Sequence, residues 1–305
     1  MPDYSVIIPT HNEGQNLIET VATFAAAAEC CDRHQEGLEI VVVDDQSTDD
    51  SIARVEALDL RVPLRVVQPP QRCGTARARR AGAKASTGDV LVNTDAHVSV
   101  ERGWLHDYEA PVAEIAPDVR ERTMFGCRMH NRADYSSYEG GQYTPTPHMD
   151  VKHMPQPDTD QPYPVMASIA CGHYMPRTLY DKIGGYLPVF MAPWGIDEEI
   201  CIRLWLMGGQ CMVIPTLHMA TMYRASFPYH VSMLSVVYNH LFMARMFLDD
   251  ERFVKAMRAR RDANEPVDEA VAKLLNSDIG HYRNWLSEKQ RRSIDELFSM
   301  FGIDW

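Results

Sequence analysis

The chain has 305 residues, 45% of them hydrophobic, and a formal net charge of −12. This length predicts one large α/β domain with an appendage or two small domains, and the hydrophobic content argues against wholesale disorder. The acidic charge argues against a nonspecific nucleic-acid binder, although a local basic patch can still form. The residues that could form such a patch are Arg72, Arg77, Arg79, Arg80 and Lys84.

The sequence shows no membrane or secretion signal. It has no run of about 18 apolar residues, which a membrane-spanning helix would need. No basic region precedes an apolar one near the N-terminus, as a signal peptide would require. The seven cysteines are odd in number and show no C-x-x-C pattern, which is typical of reduced thiols. We therefore predict a cytoplasmic protein without a membrane span.

Short apolar runs alternate with helical patterns over the first hundred residues. Strands are predicted at 4–9, 38–43, 64–67 and 90–93, and helices at 17–28, 51–58 and 74–85. Because strands and helices alternate with short links, the pattern predicts a parallel sheet that is covered on both faces.

The rest of the chain is less regular. Helices are predicted near 104–115, 177–183 and 197–207, strands near 123–129 and 211–214, and mainly helix from 229 to 305. The stretch 131–164 is rich in Pro, Tyr, Asp, Gly and His and has no clear period. Such a long irregular segment inside a compact domain is usually functional or mobile.

Polar residues follow each of the first four predicted strands, and the carboxyl ends of parallel strands meet at one edge of a sheet. We expect a cleft there that suits a nucleotide. Carboxylates at 44 and 45 can accept hydrogen bonds from a base and a ribose, and Arg72 and Arg77 can meet phosphate charge. The alternative is that Asp44, Ser47 and Asp49 are turn and N-cap residues.

Asp95-Ala96-His97 follows the last of these strands. A carboxylate and an imidazole two residues apart can hold one metal ion from the same side, and this donor pair suits Mn²⁺, with Mg²⁺ as an alternative, and hence a diphosphate. In isolation, a capping Asp and a surface His would be the simpler interpretation. No G-x-G-x-x-G or G-x-x-x-x-G-K motif supports a dinucleotide oxidoreductase or a P-loop enzyme.

The order and spacing of several segments resemble a known family. Residues 6–13 (VIIPTHNE) and 43–47 (VDDQS) resemble the opening of GT-A fold glycosyltransferases of family two. More specifically, parts of residues 4–255 resemble the catalytic domain of polypeptide N-acetylgalactosaminyltransferases. These segments are GTARAR (74–79), GDVLVNTDAH (88–97), GWL (103–105), CG (171–172), IGGY (183–186), WG (194–195), RLW (203–205), RASFPY (224–229) and the region 239–250.

The resemblance implies an α/β GT-A (Rossmann-like) fold with a mainly parallel central sheet. It implies a catalytic domain at 1–228, with a nucleotide-sugar half at about 1–100 and an acceptor half at about 101–228, and a helical C-terminal extension at 229–305. The implied activity is transfer of a hexose or N-acetylhexosamine from a UDP-sugar to a hydroxyl acceptor, with Mn²⁺ bridging the diphosphate.

The resemblance also implies site residues. Asp95 and His97 match the metal-binding pair, and Trp194 matches a residue that lines the sugar pocket. Arg224 and Tyr229 match the loop that closes over the donor, which would exclude water. The full set predicted to bind the nucleotide sugar is Pro9, Thr10, His11, Glu13, Asp44, Asp45, Arg72, Arg77, Asp95, Ala96, Trp194, Arg224 and Tyr229.

Two positions depart from the family. The third metal ligand of the family is a His three residues before the loop arginine, where this chain has Thr221. We predict that His218 supplies the third ligand after a local shift; the alternative is that His218 is a packing residue at a strand end. The weaker candidates are His148, His153, His173 and His230.

The second departure is the sequence WGIDEE at 194–199. Counted back from Arg203, Asp197 falls where inverting family-two enzymes place a general base, which takes the acceptor's proton. We predict Asp197 and Glu198 as the catalytic pair, which favours inversion over retention. The alternative is that residues 197–199 only stabilise the positive end of a helix dipole.

Other functions stay open at this point. A nucleotidyltransferase on a related fold is one alternative, although such enzymes use more purely carboxylate metal sites. A non-catalytic protein that binds sugar nucleotides or glycans is another. The acceptor is undetermined among a peptide, a glycan, a lipid-linked sugar and a modified nucleic-acid base, and the final helices could mediate a homodimer.

Overall fold

The fold is described from a computed structural model, which describes residues 3–28, 32–138, 141–143, 149–150, 152–154, 157–224 and 229–305. The described part of the first hundred residues forms five strands and four helices. The strands are β1 (Tyr4–Thr10), β2 (Leu38–Asp44), β3 (Leu64–Val67), β4 (Val90–Asn93) and β5 (Val98–Val100), and the helices are α1 (Gln15–Ala28), α2 (Asp32–Glu36), α3 (Ser51–Glu56) and α4 (Thr75–Ala85).

The middle of the chain contains more strands than the sequence predicted. Its helices are α5 (Trp104–Ala113), α6 (Pro117–Arg120), a short 3₁₀ helix (Ala170–Gly172), α7 (Arg177–Lys182) and α8 (Ile196–Leu206). Its strands are β6 (Thr123–Asn131), β7 (Ser137–Tyr138), β8 (Gly141–Tyr143), β9 (Lys152–His153), β10 (Tyr163–Val165), β11 (Ala167–Ser168), β12 (His173–Pro176) and β13 (Gln210–Thr221).

Helices dominate the end of the chain, as predicted. They are α9 (Met233–Phe247), α10 (Asp250–Asp262), α11 (Val267–Leu275), α12 (Ile279–Lys289) and α13 (Ile294–Met300).

The central sheet has the order β10-β13-β6-β12-β4-β1-β2-β3, with β5 paired to β13 and β7 paired to β6. β3, β2, β1 and β4 are parallel neighbours, as predicted. β12 enters antiparallel between β4 and β6, and β6 and β13 again pair in parallel. Both β1 and β2 are apolar and buried on both faces, which is what a helix-covered parallel sheet requires.

Two hydrophobic clusters cover the two faces of this sheet. One packs α1 and α5 against β1, β2 and β4. The other includes α4 and α8 together with residues of α9 to α13, so the C-terminal helices share their core with the sheet. The domain boundary at 228/229 stays a prediction. Among the described residues, no helix is both long and apolar enough to cross a bilayer.

Helix α4 lies unusually close to the sheet at Gly82. A Cβ at this position would meet Ile7 Cγ2 at 2.4 Å and Val43 Cγ2 at 2.9 Å, distances that real side chains do not adopt. Only glycine therefore allows the helix to approach β1 and β2 this closely. The same helix carries Arg77 and Arg79 to the carboxyl edge of the sheet.

Candidate active site

A cleft of about 950 Å³ opens at the carboxyl ends of β1, β2 and β4. It brings together most of the residues predicted from the sequence, although these are distributed over 220 positions of the chain. The predicted residues that line it are Pro9, Thr10, His11, Glu13, Asp45, Arg72, Arg77, Asp95, Ala96, His97, Trp194, Asp197, Arg224 and Tyr229. Three predicted residues, Asp44, Glu198 and His218, are not part of its lining.

The two aspartates after β2 have different roles. Asp44 is buried and accepts hydrogen bonds from the Ser47 backbone N–H at 2.7 Å and from Gln68 Nε2 at 2.7 Å, so it organises the turn. Asp45 lines the cleft and accepts from the backbone N–H groups of Cys73 and Gly74, at 2.6 and 2.9 Å. The structure thus favours the turn interpretation for Asp44 and leaves Asp45 as the candidate for ligand binding.

The turn after β1 is fixed by the turn after β2. Asn12 has a φ of +56°, and its Oδ1 accepts from the Thr48 backbone N–H at 2.7 Å. His11 Nδ1 lies 2.9 Å from the Asp45 carbonyl oxygen and donates to it. The Tyr229 ring packs edge-on against His11 with centroids 5.8 Å apart, and the Arg72 guanidinium lies 5.2 Å from the centre of that ring.

Asp95 and His97 both face the cleft, as predicted. His97 Nδ1 is buried, has no hydrogen-bond partner among the described residues, and lies 3.7 Å from Glu13 Oε1. Burial would raise the pKa of Glu13, but His97 and Arg224 outweigh it and hold that pKa below its ordinary value. The orphaned imidazole nitrogen and the partly exposed Asp95 carboxylate suit a divalent ion.

Within the part of the chain that the structure describes, no group of three His, Cys, Asp or Glu side chains could hold a metal ion. Two protein ligands still fit Mn²⁺ or Mg²⁺, because such ions commonly keep waters and bind substrate phosphate oxygens in their other positions. The donor set thus fits an ion that is shared with a diphosphate.

The structure places His218 away from this pair and does not support the prediction that it is the third ligand. Side chains alternate between the faces of a strand, and β13 extends through Thr221, so His218 and Thr221 face opposite sides. Thr221 lines the cleft, whereas His218 Nδ1 lies 2.6 Å from His130 Nε2 with the two rings stacked. Burial and the neighbouring His130 lower the pKa of His218.

Of the weaker histidine candidates, His153 and His230 line the cleft. His173 is buried, with Nε2 donating to the Ser168 carbonyl oxygen at 2.8 Å, and burial lowers its pKa to about 3. His148 lies outside the described residues.

The first turn of α8 separates the three acidic residues predicted there. Gly195, at a φ of +85°, precedes the helix, and Asp197 faces the cleft. Glu199 is buried and binds Arg203 Nε at 2.5 Å, so it is structural. Glu198 is also buried and does not line the cleft, because each residue turns about 100° around a helix. Burial, together with the charge of Asp197, raises the pKa of Glu198 to about 8. The cleft thus receives Asp197 alone, and the structure does not support a catalytic role for Glu198.

Arg79 lines the cleft, whereas the sequence placed it only in a possible basic patch and in the GTARAR segment. Its side chain is 3% exposed and lies at the floor of the cleft. Nη2 is 2.9 Å from Asp95 Oδ1, and Nη1 is 2.9 Å from Asp197 Oδ1. One buried guanidinium therefore links the predicted metal ligand to the acid of α8.

The segment after β13 closes one side of the cleft. Arg224 forms a two-pronged ion pair with Glu13, in which Nη1 lies 3.0 Å from Oε1 and Nη2 contacts Oε2. Residues 225–228 of the predicted loop lie outside the described residues. Burial and the charges of Asp95 and Glu13 raise the pKa of Tyr229 to about 12, so its hydroxyl stays protonated at neutral pH.

The C-terminal helices also contribute to the cleft, which no signal in the sequence had indicated. The contributing residues are Ser235 and Tyr238 of α9, and Ser277 and Asp278 before α12. A smaller cavity of about 400 Å³ adjoins them and is lined by Met191, Tyr238, Ala272, Lys273, Asn276 and Ser277.

Comparison with known proteins shows what the chain is similar to. Residues 5–120 match the family model Glycosyl transferase family 2. Over most of its length the chain is similar to polypeptide N-acetylgalactosaminyltransferases, the family that its sequence motifs resemble.

Two relatives illustrate this similarity. The chain is 28% identical over 301 residues to polypeptide N-acetylgalactosaminyltransferase 10 of Homo sapiens, covering 92% of this chain and 48% of the relative. It is 29% identical over 308 residues to probable N-acetylgalactosaminyltransferase 6 of Caenorhabditis elegans, covering 90% and 48%. The chain thus spans about half the length of these curated relatives.

Solved structures confirm the predicted GT-A fold. A crystal structure of GalNAc-T7 with UDP, GalNAc and Mn²⁺ matches with a TM-score of 0.77 and 20% identity, covering 99% of this chain and 57% of that one. The mannosyltransferase PcManGT of Pyrobaculum calidifontis, in complex with GDP-Man and Mn²⁺, matches with a TM-score of 0.57 and 18% identity, covering 94% and 84%.

Proposed function

We propose that this protein is a metal-dependent glycosyltransferase that moves a hexose or N-acetylhexosamine from a UDP-sugar to a hydroxyl acceptor. The observation that carries the proposal is the shared cleft of Asp95, His97 and the arginines of α4. Homology to polypeptide N-acetylgalactosaminyltransferases and the GT-A fold support it.

Different residues along the cleft would bind the metal, the phosphates and the nucleoside. Asp95 and His97 would hold Mn²⁺ or Mg²⁺, which when bound offsets the charge of the departing UDP. Arg72 and Arg77 line the same cleft and offer guanidinium groups to phosphate oxygens. Asp45, fixed by its two backbone hydrogen bonds, lies on the nucleotide side and can accept a hydrogen bond from the base or ribose.

Asp197 is proposed as the carboxylate that faces the reacting sugar. Arg79 binds its Oδ1, so the carboxylate is held in one orientation. In this position Asp197 can take the acceptor's proton as general base, which predicts an inverted product. If the product keeps the anomeric configuration of the donor, Asp197 instead accepts a hydrogen bond from the sugar.

The arginine loop would complete the donor site. Arg224 already binds Glu13 at the edge of the cleft, and Tyr229 packs on His11 and Arg72. A closed loop would exclude water, which otherwise competes with the acceptor for the sugar.

The compartment and the assembly are further parts of this proposal. The described cysteines, at positions 73, 127, 171, 201 and 211, are free thiols, which supports a reducing cytoplasmic environment. A homodimer through the C-terminal helices is testable by sedimentation at micromolar concentrations. The acceptor is to be sought among peptides, glycans and modified nucleic-acid bases.

A thermal-shift panel of nucleotide sugars, with Mn²⁺ or with chelator, tests the donor. A ligand at 100 times its Kd stabilises the native state by about 2.7 kcal/mol, so UDP-GalNAc, UDP-GlcNAc or UDP-glucose should raise Tm only when Mn²⁺ is present. Asp95→Asn, which keeps the side-chain volume, should abolish the Mn²⁺-dependent part of the rise in Tm. Stabilisation by GDP- or CMP-sugars without any UDP-sugar response would contradict the donor assignment.

The same panel separates binding from catalysis. Wild-type protein that is stabilised by a UDP-sugar should also release UDP slowly from it in the presence of Mn²⁺, because water can act as a poor acceptor. Tight binding with no UDP release, with or without an acceptor library, would favour the non-catalytic alternative.

A further inference from the structure

Asn239 of α9 is fully buried and binds a segment far from it in sequence. Its Oδ1 accepts from the Met191 backbone N–H at 2.8 Å. Its Nδ2 donates to the carbonyl oxygens of Ala192 and Trp194, each at 2.8 Å. Three hydrogen bonds from one side chain therefore fix the backbone of residues 191–194.

These partners require an amide in this one orientation. A backbone N–H needs an acceptor, and two carbonyl oxygens need two donors, which is the inventory of a single Asn side chain. An aspartate could accept from Met191 but would place a carboxylate oxygen against two carbonyls. A leucine would leave all three backbone groups unpaired, which is costly in a buried place.

The segment that Asn239 holds leads directly into the site. Trp194 and Asp197 both line the cleft, and Gly195 lies between them at the start of α8. A Cβ on Gly195 would lie 3.3 Å from His240 and 3.4 Å from Asn239, so α9 packs closely on this turn.

His240 is held in turn by a buried arginine. Arg260 Nη2 donates to His240 Nδ1 at 2.5 Å and also binds Asp150 at 2.9 Å, and Arg260 Nη1 binds Glu265 at 2.6 Å. Helix α9 is therefore braced by α10 at the level where it contacts the Trp194 segment.

We propose that Asn239 is a positioning residue for the donor-sugar end of the cleft. It fixes Trp194 and the first turn of α8, and through that turn Asp197, while the nucleotide end is built without it. Helix α9 is thus part of the sugar pocket rather than an appendage. The proposal rests on the proposed glycosyltransferase function only for its kinetic readout.

Asn239→Asp and Asn239→Leu test the proposal in the full chain. Both should lower kcat/KM for UDP release from the UDP-sugar that stabilises the wild type, on the order of tenfold to a hundredfold, as expected when buried polar groups lose their partners. The Kd for UDP with Mn²⁺ should stay within about threefold of wild type, because the nucleotide end does not contact Asn239.

The pH profile gives a second readout. An aspartate at 239 would have a raised pKa, because burial and two facing carbonyls disfavour its charge. Its protonated form can donate to one carbonyl, so the activity of Asn239→Asp relative to wild type should be highest at low pH and fall as pH rises. Asn239→Leu should show no such trend.

Leu286→Ala is the matched control, since Leu286 is buried in α12 of the same helical group. It should lower Tm but keep the wild-type ratio between UDP and UDP-sugar affinities. Hydrogen exchange of the backbone amides of residues 190–206 supplies a test that does not depend on activity. These amides should lose protection from exchange in both Asn239 variants and keep it in Leu286→Ala.

Equal protection of residues 190–206 in wild type and Asn239→Leu would overturn the proposal, as would a parallel loss of UDP affinity and turnover. A wild type that binds no UDP with Mn²⁺ would instead refute the proposed function, and the exchange experiment would still decide the role of Asn239.

Discussion

The two ends of the cleft are built in different ways. At the end proposed to bind the nucleotide, the nucleotide end, contacts join neighbouring turns of one sheet, such as Asp45 to Cys73, 28 residues away, and Asn12 to Thr48, 36 residues away. At the end proposed to bind the sugar, the sugar end, Arg79 reaches Asp197 across 118 residues and Arg224 reaches Glu13 across 211. Parallel β-strands with their helices are enough to assemble the first end, whereas the second end depends on how later segments pack against that sheet.

The difference also concerns charge. At the nucleotide end, the carboxylates accept hydrogen bonds mainly from backbone N–H groups, which a side-chain substitution does not remove. The sugar end fixes them with buried or partly buried guanidinium groups, so each charge there depends on a partner from another part of the chain. Variants should therefore separate the two ends by whether they affect metal and nucleotide binding or the placement of the acids.

Asp95→Ala should have the largest effect, because it removes a predicted metal ligand where both ends meet. We expect a fall in kcat/KM on the order of a thousandfold, since a metal supplies several kcal/mol of charge stabilisation. Titration of UDP binding with Mn²⁺ measures the cause directly. Asp44→Asn is the contrasting control: the amide keeps only one of the two oxygens that accept from Ser47 and Gln68, so the variant should lower Tm but leave the Mn²⁺ dependence of UDP binding intact.

Arg79→Met tests the bridge between the ends. Removing one partner of a buried ion pair leaves a charge uncompensated, so the free energy of unfolding should fall by about 3 kcal/mol in denaturant titrations. Activity should fall as well, because Asp95 and Asp197 lose their common anchor. Arg80→Met, one residue along α4, removes hydrogen bonds to the carbonyl oxygens of Gly184 and Tyr186 and should be much milder. Equal losses in the two variants would contradict the bridging role.

Glu198→Gln tests the acidic turn of α8. The folded-state pKa is raised to about 8, against about 4.3 in an unfolded chain. Between these pH values the folded state binds the extra proton, so this residue makes wild-type stability fall as pH rises. Glutamine cannot titrate, and the variant should gain on the order of 3 to 4 kcal/mol relative to wild type between pH 5 and pH 8. Stability curves that run parallel over this range would show that Glu198 ionises normally.

Thr221→His should have the smallest effect of these variants, and we expect it to increase Mn²⁺ affinity. Thr221 faces the cleft beside the strand that follows His97, so an imidazole there could complete a three-ligand site. We expect Mn²⁺ affinity to rise about tenfold, measured by calorimetry. Ala220→His is the matched control, because strand alternation turns it to the other face. A similar rise in both variants would mean that the added histidines bind metal away from Asp95.

The sequence predicted the parallel strands β1 to β4 and the cleft at their carboxyl ends, because buried parallel strands can be recognised locally and their carboxyl ends must meet. It predicted His218 in the cleft because the predicted strand ended at 214, whereas β13 continues to Thr221. His218 and Thr221 are three residues apart on this strand, so their side chains lie on opposite faces of the sheet. It could not separate Asp44 from Asp45, since both follow the strand and only the turn contacts distinguish them.

The sugar end was predicted only in part. The motif resemblance identified Trp194, Asp197 and Arg224, but nothing local to Arg79 or Asn239 shows that each one reaches a partner more than 40 residues away. The short strands of the middle segment were missed for the same reason, because pairing of two or three residues is decided by the partner and not by local preference.

The close contact of Gly82 with β1 and β2 constrains how this protein can change over evolution. Arg79 lies one helical turn before Gly82. Any side chain larger than that of glycine at position 82 would therefore lift α4 and withdraw the Arg79 guanidinium from Asp95 and Asp197. A substitution at the buried position 82, outside the lining of the cleft, would thereby change the chemistry of the cleft.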